Sequence, residues 1–233
     1  MTKRLAIIPA RGGSKRIPDK NIRNFCGKPM IAHILDTAKN SALFYKIHVS
    51  TDSAVIAEVC EDYGCKPNFM RSPDLSDDMA PLMPVLKDTL QVFQSKGELF
   101  DEVWLLMACS PLLEIDDLRD AASLFGKAVE EALIAVTPYP APTEWAFLRN
   151  EEGHLTPEQP GMFATRSQDL AEKYYDSGAY AVFTPSYILN SDGAGCDSNF
   201  IGAVLPREKA IDIDTLDDWN HAEIIYKAKM LVE

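Results

Sequence analysis

Long apolar runs are missing from this 233-residue sequence, and no stretch is long enough to cross a membrane. The opening MTKRLAIIPARGG is basic and then apolar. Its apolar part, residues 5–9, is shorter than a signal-peptide core, so the chain is expected in the cytoplasm. Cysteine is scarce and odd in number. Cys26, Cys60, Cys65, Cys109 and Cys196 fit no zinc spacing, and reduced thiols are expected rather than a disulfide framework. Histidine is as sparse: His33, His48, His154 and His221 form no metal or triad pattern, and no histidine base is expected. The motifs G-x-S-x-G, G-x-G-x-x-G and G-x-x-x-x-G-K-[ST] are all absent, which argues against a serine nucleophile, a nicotinamide dehydrogenase and a P-loop mechanism. Positive charge is also short over most of the chain. The formal net charge is -12, and residues 29–233 hold 15 Lys/Arg against 34 Asp/Glu. Such an acidic body does not suit general nucleic-acid binding, which leans on a broad basic face.

The missing positive charge is concentrated at the start. Residues 1–28 hold eight Lys/Arg against one acid, Asp19. Several of these bases sit in IIPARGGSKRIP, residues 7–18, where an apolar run gives way to Gly12, Gly13 and Ser14 among Arg11, Lys15 and Arg16. A local basic loop on an acidic body suits a small polyanion.

Apolar periodicity predicts alternating strands and helices. Strands are expected at 5–9, 46–50, 66–70, 103–107, 133–137, 178–183 and 201–205, and helices at 30–40, 52–63, 84–94, 115–125 and 215–231. The last helix is expected to be amphipathic, with Leu216, Trp219, Ala222, Ile225 and Tyr226 on one face. Strands separated by helices imply βαβ units, hence an α/β, Rossmann-like, mostly parallel sheet flanked by helices. The rhythm breaks from Pro138 to about residue 170. A long irregular segment inside a compact domain is usually functional or an arm onto a partner.

Three stretches carry chemistry. The first loop follows a buried strand, where α/β folds hold ligands. Gly12 and Gly13 let the backbone approach a phosphate, Ser14 adds a hydroxyl, and Arg11, Lys15 and Lys20 can neutralise a triphosphate. The alternative is a solvated basic turn. The second stretch is DIDTLDDW, residues 212–219. In an extended chain Asp212 and Asp214 project to one face, and a hard divalent cation, Mg²⁺, would relieve their repulsion. Helix capping explains Thr215, Asp217 and Asp218 but not Asp212. The third is TRSQDLAEKYYDSGAY, residues 165–180, in which Arg166, Gln168, Tyr174 and Asp176 mix polar groups with aromatic faces as a sugar site does. A surface segment leading into a strand is the alternative there. Ser110, just after a predicted strand, is placed to line the same cleft.

The ordered set IIPARGGSKRIPDKNI, FCGKPMIAH, VSTDSAVIAEVCEDYG, TRSQDL and IDIDTLDDW, running nearly end to end, resembles the CMP-sialic acid synthetase-like cytidylyltransferases, and within them the enzymes of pseudaminic acid. The resemblance implies a single nucleotidyltransferase domain over residues 1–233 with a dimerisation arm at about 138–170. It implies a Mg²⁺-dependent reaction in which CTP and a nine-carbon 2-keto sugar acid give a CMP-sugar and pyrophosphate, and a homodimer. It places Arg11, Ser14, Lys15 and Lys20 on the triphosphate, Asn21 and Arg71 on the cytidine, and Asp212 and Asp214 on the metal. Legionaminic or N-acetylneuraminic acid is the alternative substrate, and a catalytically silent nucleotide- or sugar-binding protein the alternative of another class. Where sialic-acid enzymes show a glutamine-proline-threonine run, this chain has Met107-Ala108-Cys109, which points away from N-acetylneuraminic acid. Where relatives carry paired small hydroxyl residues, it has Pro81-Leu82.

Overall fold

The computed structural model describes residues 2–77, 81–191 and 199–231, so Cys196 lies outside the described residues. Strand β1 (Arg4–Pro9) leads through a long loop and the short strands β2 (Asn24–Phe25) and β3 (Lys28–Pro29) to helix α1 (Met30–Ser41). Then come β4 (Lys46–Ser50), α2 (Ala54–Asp62), α3 (Leu82–Ser95), β5 (Glu102–Leu106), α4 (Ile115–Phe125) and β6 (Ala132–Pro138). A hairpin of β7 (Phe147–Arg149) and β8 (Leu155–Pro157) follows. The chain closes with β9 (Tyr174–Phe183), α5 (Pro185–Asn190), β10 (Phe200–Val204) and α6 (Leu216–Met230).

Six strands form one sheet in the order β10-β6-β9-β5-β1-β4. β1 pairs in parallel with β4 and β5, and β10 with β6, whereas β9 runs antiparallel between β5 and β6. The expected mostly parallel α/β sheet is therefore present. Strands β1 and β5 are apolar on both faces, as buried central strands require. In β1, Ala6 and Ile8 join the core under α1, α2 and α4, while Leu5 and Ile7 join the core under α3 and α5. β5 alternates the same way, with Trp104 and Leu106 on the first face and Val103 and Leu105 on the second. The chain runs from β1 to β4 on one side and later to β5 on the other. That reversal opens a crevice at the carboxyl end of β1, where such sheets bind ligands.

A third, smaller core joins distant parts of the chain. Ile17, Phe25 and Met30 pack with Ile213, Trp219 and Ala222. Phe25 meets Trp219 and Tyr226 edge to face at centroid distances of 5.3 and 5.6 Å. This cluster seats α6, whose capping box pairs Thr215 with Asp218.

Several elements depart from the sequence expectation. Residues 66–70 form no strand: Pro67 interrupts them, and Phe69 stacks its ring on His48 instead of extending the sheet. Helix α3 begins at Leu82, ahead of the expected start at Pro84. Proline is tolerated there because the first-turn amides have no intrahelical partner. On α6, Trp219 and Ala222 are buried as expected, but Leu216 is exposed, since it lies in the first turn beyond the third core. The arm is not irregular throughout, for it contains the β7–β8 hairpin. Helix α5 was not anticipated; Thr184 caps it.

His48 on β4 is fully buried. Burial, the largest cause, pushes its pKa down from 6.5 to about 4. The unfolded chain thus takes up a proton near pH 6.5 that the folded chain resists until about pH 4. Stability is full above pH 6.5 and declines toward pH 4, with about 3 kcal/mol assigned to this group at roughly 1.4 kcal/mol per pH unit. Denaturant midpoints measured across that range are expected to fall less steeply in His48→Phe than in the wild type.

Candidate active site

A cavity of about 340 Å³ opens at the carboxyl ends of β1 and β5. The basic loop forms one part of its lining through Arg11, Ser14, Lys15, Arg16, Lys20 and Asn21. Asp212 and Asp214 contribute the acidic part, and Leu82, Val85, Met107 and Ala108 an apolar wall. Arg71 and Asp77 also reach it, and Gly178 of β9 completes the side next to Asp212.

The third core explains why residues nearly two hundred positions apart meet here. Ile17 is buried on the basic loop, and Ile213 is buried between the two acids. Anchoring Ile213 inward turns Asp212 and Asp214 toward the cavity, as alternation along an extended chain demands. The segment is not itself a ladder strand. Lys20 Nζ then donates to the Ile213 carbonyl at 2.7 Å and lies 3.4 Å from Asp214 Oδ1. Arg16 Nη2 stands 2.9 Å from Asp214 Oδ2. Asp214 N–H and Thr215 N–H both donate to Asp218 Oδ2, fixing the turn into α6.

Electrostatics distinguish the two acids. The pKa of Asp212 is raised, first by burial and then by repulsion from Asp214. Gly178 takes φ +65°, and a Cβ there would come within 3.7 Å of Asp212 Cγ. That distance is ordinary contact, so it is the left-handed backbone that calls for glycine here. Burial pushes the Cys109 thiol up to about 11, so it fills space as a neutral group. It points Sγ–H at Asn21 Oδ1, 3.4 Å away, while Asn21 Nδ2 donates to the Arg11 carbonyl at 3.0 Å. Asn21 in this way clamps the loop from both sides.

Other predicted site residues lie elsewhere. Gly12 sits in an adjoining hollow, its N–H donating to Asp52 Oδ1 at 3.0 Å, and a Cβ there would meet Ser53 Cβ at 3.1 Å. Gly13 has open space around it and does not line the cavity. Ser110 is buried and directs its hydroxyl at the Ala179 carbonyl. Arg166 pairs with Asp169, Tyr174 donates to Glu172, and Asp176 Oδ1 accepts from Gly178 N–H. None of these three lines the cavity, nor does Gln168. Sequence reasoning assigned no role to Arg16, Gly178 or Val85, and it met Leu82 and Met107 only as departures from the relatives' pattern. For Met107 the signal was available, since the expected strand 103–107 ends on it and its carboxyl end faces the crevice.

A crevice at a switch point, lined by a cluster of cations and two acids, defines an α/β protein with a site suited to a small polyanion. The fold matches that of CMP:2-keto-3-deoxy-manno-octonic acid synthetase complexed with CTP, with a TM-score of 0.69 and 17% identity over 98% of this chain and 100% of that one. It also matches 4-diphosphocytidyl-2C-methyl-D-erythritol synthase from Anaerococcus prevotii, with a TM-score of 0.60, 15% identity and coverage of 97% and 99%. Residues 5–143 match the family described as cytidylyltransferase. Pseudaminic acid cytidylyltransferase of Campylobacter jejuni is 39% identical over 97% of both chains. CMP-N,N'-diacetyllegionaminic acid synthase of Legionella pneumophila is 33% identical over 92% of both. The chain belongs to the cytidylyltransferase family.

Proposed function

We propose that this protein couples CTP to a nine-carbon 2-keto sugar acid, pseudaminic acid or a close relative, releasing pyrophosphate. The observation that carries the reading is the contact of Lys20 with Ile213 and Asp214, which brings the basic loop and the acidic pair into one cavity. In this reading Arg11, Ser14, Lys15 and Lys20 take the triphosphate, and Asn21 and Arg71 stand at the cytidine end. The anomeric hydroxyl oxygen attacks the α-phosphorus in line, its proton passes to solvent water, and the bond from that phosphorus to the pyrophosphate oxygen breaks. Lys15 and Lys20 hold the departing charge.

The chemistry of the acidic pair suits Mg²⁺. Asp212 and Asp214 offer hard carboxylate oxygens, and the lining holds no histidine and only a thiol held neutral. Among the described residues no three His, Cys, Asp or Glu side chains form a cage. Mg²⁺ commonly takes one or two carboxylates and completes its shell with phosphate and water. Bound there, it would supply charge neutralisation on phosphate oxygens and acidify the sugar hydroxyl. The raised pKa of Asp212 supports a site that waits for positive charge.

The arm supports a homodimer. It exposes Phe147, Leu148, Leu155 and Phe163. Arg166, Gln168 and Tyr174 stand outside their own chain's cavity, and in this reading they serve the partner's. Asp176 lies two residues from Gly178, which lines that cavity. The sugar assignment is tested by pyrophosphate release with CTP and Mg²⁺ across pseudaminic, legionaminic and N-acetylneuraminic acids. kcat/KM is expected to be highest for pseudaminic acid. A preference for N-acetylneuraminic acid would overturn the assignment.

A further inference from the structure

His48 is fully buried, and its Nε2 is the one buried side-chain nitrogen or oxygen without a hydrogen-bond partner among the described residues. Buried polar atoms are nearly always paired, because an unpaired one loses its hydration with no return. A phenylalanine would fill this apolar niche without that cost. The ring is stacked on Phe69 at 4.3 Å and meets Phe93 of α3 edge-on at 5.5 Å. The retained imidazole therefore calls for a reason beyond packing.

The other ring nitrogen supplies one. Residues 66–72 form no helix or strand, yet they carry Arg71 into the cavity. His48 faces this segment from β4: its Nδ1 lies 3.4 Å from both the backbone N and the Oδ1 of Asn68, and its tautomer sets whether it accepts from the N–H or donates to the Oδ1. Two residues along β4, and so on the same strand face, Ser50 receives Arg71. Arg71 Nε donates to Ser50 Oγ at 3.0 Å and Nη2 to the Ser50 carbonyl at 2.6 Å. Arg71 N–H donates to the Thr51 carbonyl at 2.8 Å. One strand face thus holds the segment at residue 68 and again at residue 71.

We propose that His48 is a positioning residue for the nucleotide: its contacts with Asn68 and Phe69 set the segment that presents the Arg71 guanidinium to the bound CTP. This rests on the reading of the cavity as a CTP site. It separates the roles along β4, with His48 acting at a distance and Arg71 at the ligand.

The test is a set of steady-state measurements with CTP and the sugar varied separately, alongside melting temperatures. His48→Phe keeps the ring and removes the nitrogen. It is expected to raise KM for CTP about five- to tenfold, with kcat and the KM for sugar within about twofold. Asn68→Ala, at an exposed position that does not threaten folding, shifts KM for CTP the same way but less. Arg71→Ala raises it most, and adding His48→Phe to Arg71→Ala changes it no further, because both act through one group. If Arg71→Ala matters but neither His48→Phe nor Asn68→Ala moves KM for CTP, the positioning role is wrong and the nucleotide site stands. Full multiplication of the effects in the double variant also refutes it. If Arg71→Ala itself leaves CTP use unchanged, the nucleotide reading of Arg71 fails, and the role of His48 fails with it.

Discussion

Asp212→Asn and Asp214→Asn are each expected to lower kcat about a thousandfold while leaving the fold intact. Asparagine keeps the size and shape of the side chain, so what is lost is negative charge. The anchor of this segment is Ile213, which neither change touches. The two variants should differ in stability. In the folded protein Asp212 is held against burial and against Asp214, so its ionised form weighs against folding at neutral pH. Removing that charge should raise the melting temperature even as activity collapses, the signature of strain kept for function. Asp214 is paired with Arg16 and Lys20 on a partly exposed surface. Losing those pairs should cost about 1 kcal/mol or less. Turnover assays and calorimetry on both variants check this. Near-wild-type rates with CTP and Mg²⁺ would remove the acidic pair from the mechanism.

Lys20→Ala should be nearly as damaging, lowering kcat/KM for CTP about a hundredfold. Two effects combine in that number. Lys20 reaches the acidic segment at both the Ile213 carbonyl and Asp214, and its side chain is mostly withdrawn from solvent. It also closes the cavity mechanically by donating to the Ile213 carbonyl, a bond whose loss should cost about 1 kcal/mol of stability. Lys20→Met, which keeps the apolar stem, separates the stem's packing from the charge. If charge on the triphosphate is the larger effect, Lys20→Met is as inactive as Lys20→Ala, and Lys20→Arg recovers part of the rate. Unchanged CTP affinity and rate in Lys20→Ala would refute its role.

The sheet was legible because its signal is local. Residues 46–50 and 115–125 coincide with β4 and α4, where apolar spacing and capping agree. Legibility failed where tertiary contacts outvote local pattern. The segment at 66–70 looks like a strand until Phe69 finds the ring of His48. The β7–β8 hairpin carried a readable cue in Asn150 and Gly153, whose turn is closed by Gly153 N–H on the Asn150 carbonyl, but the surrounding prolines masked it.

The site was legible in parts and not in assembly. The basic loop and the acidic pair each announced their chemistry. Nothing local, however, says that Ile17 and Ile213 share one apolar core. The glycines carried an expectation of phosphate approach. Gly12 instead spends its amide on Asp52 and its missing Cβ on Ser53. Leu82, Val85 and Met107 are ordinary apolar residues in sequence and become a wall only because α3 begins where β5 ends. His48 carried no signal at all, since an unpaired nitrogen exists only in the packed state.

The central claim is that this cavity joins a nucleotide to a sugar acid. The most direct measurement is to mix the protein with CTP, Mg²⁺ and pseudaminic acid and follow both products by mass spectrometry and phosphorus NMR. Equimolar CMP-sugar and pyrophosphate, dependent on the sugar and absent in Asp214→Asn, is the predicted result. Tight binding of CTP and sugar with no product across the nonulosonic acids would contradict it and leave a silent binding protein.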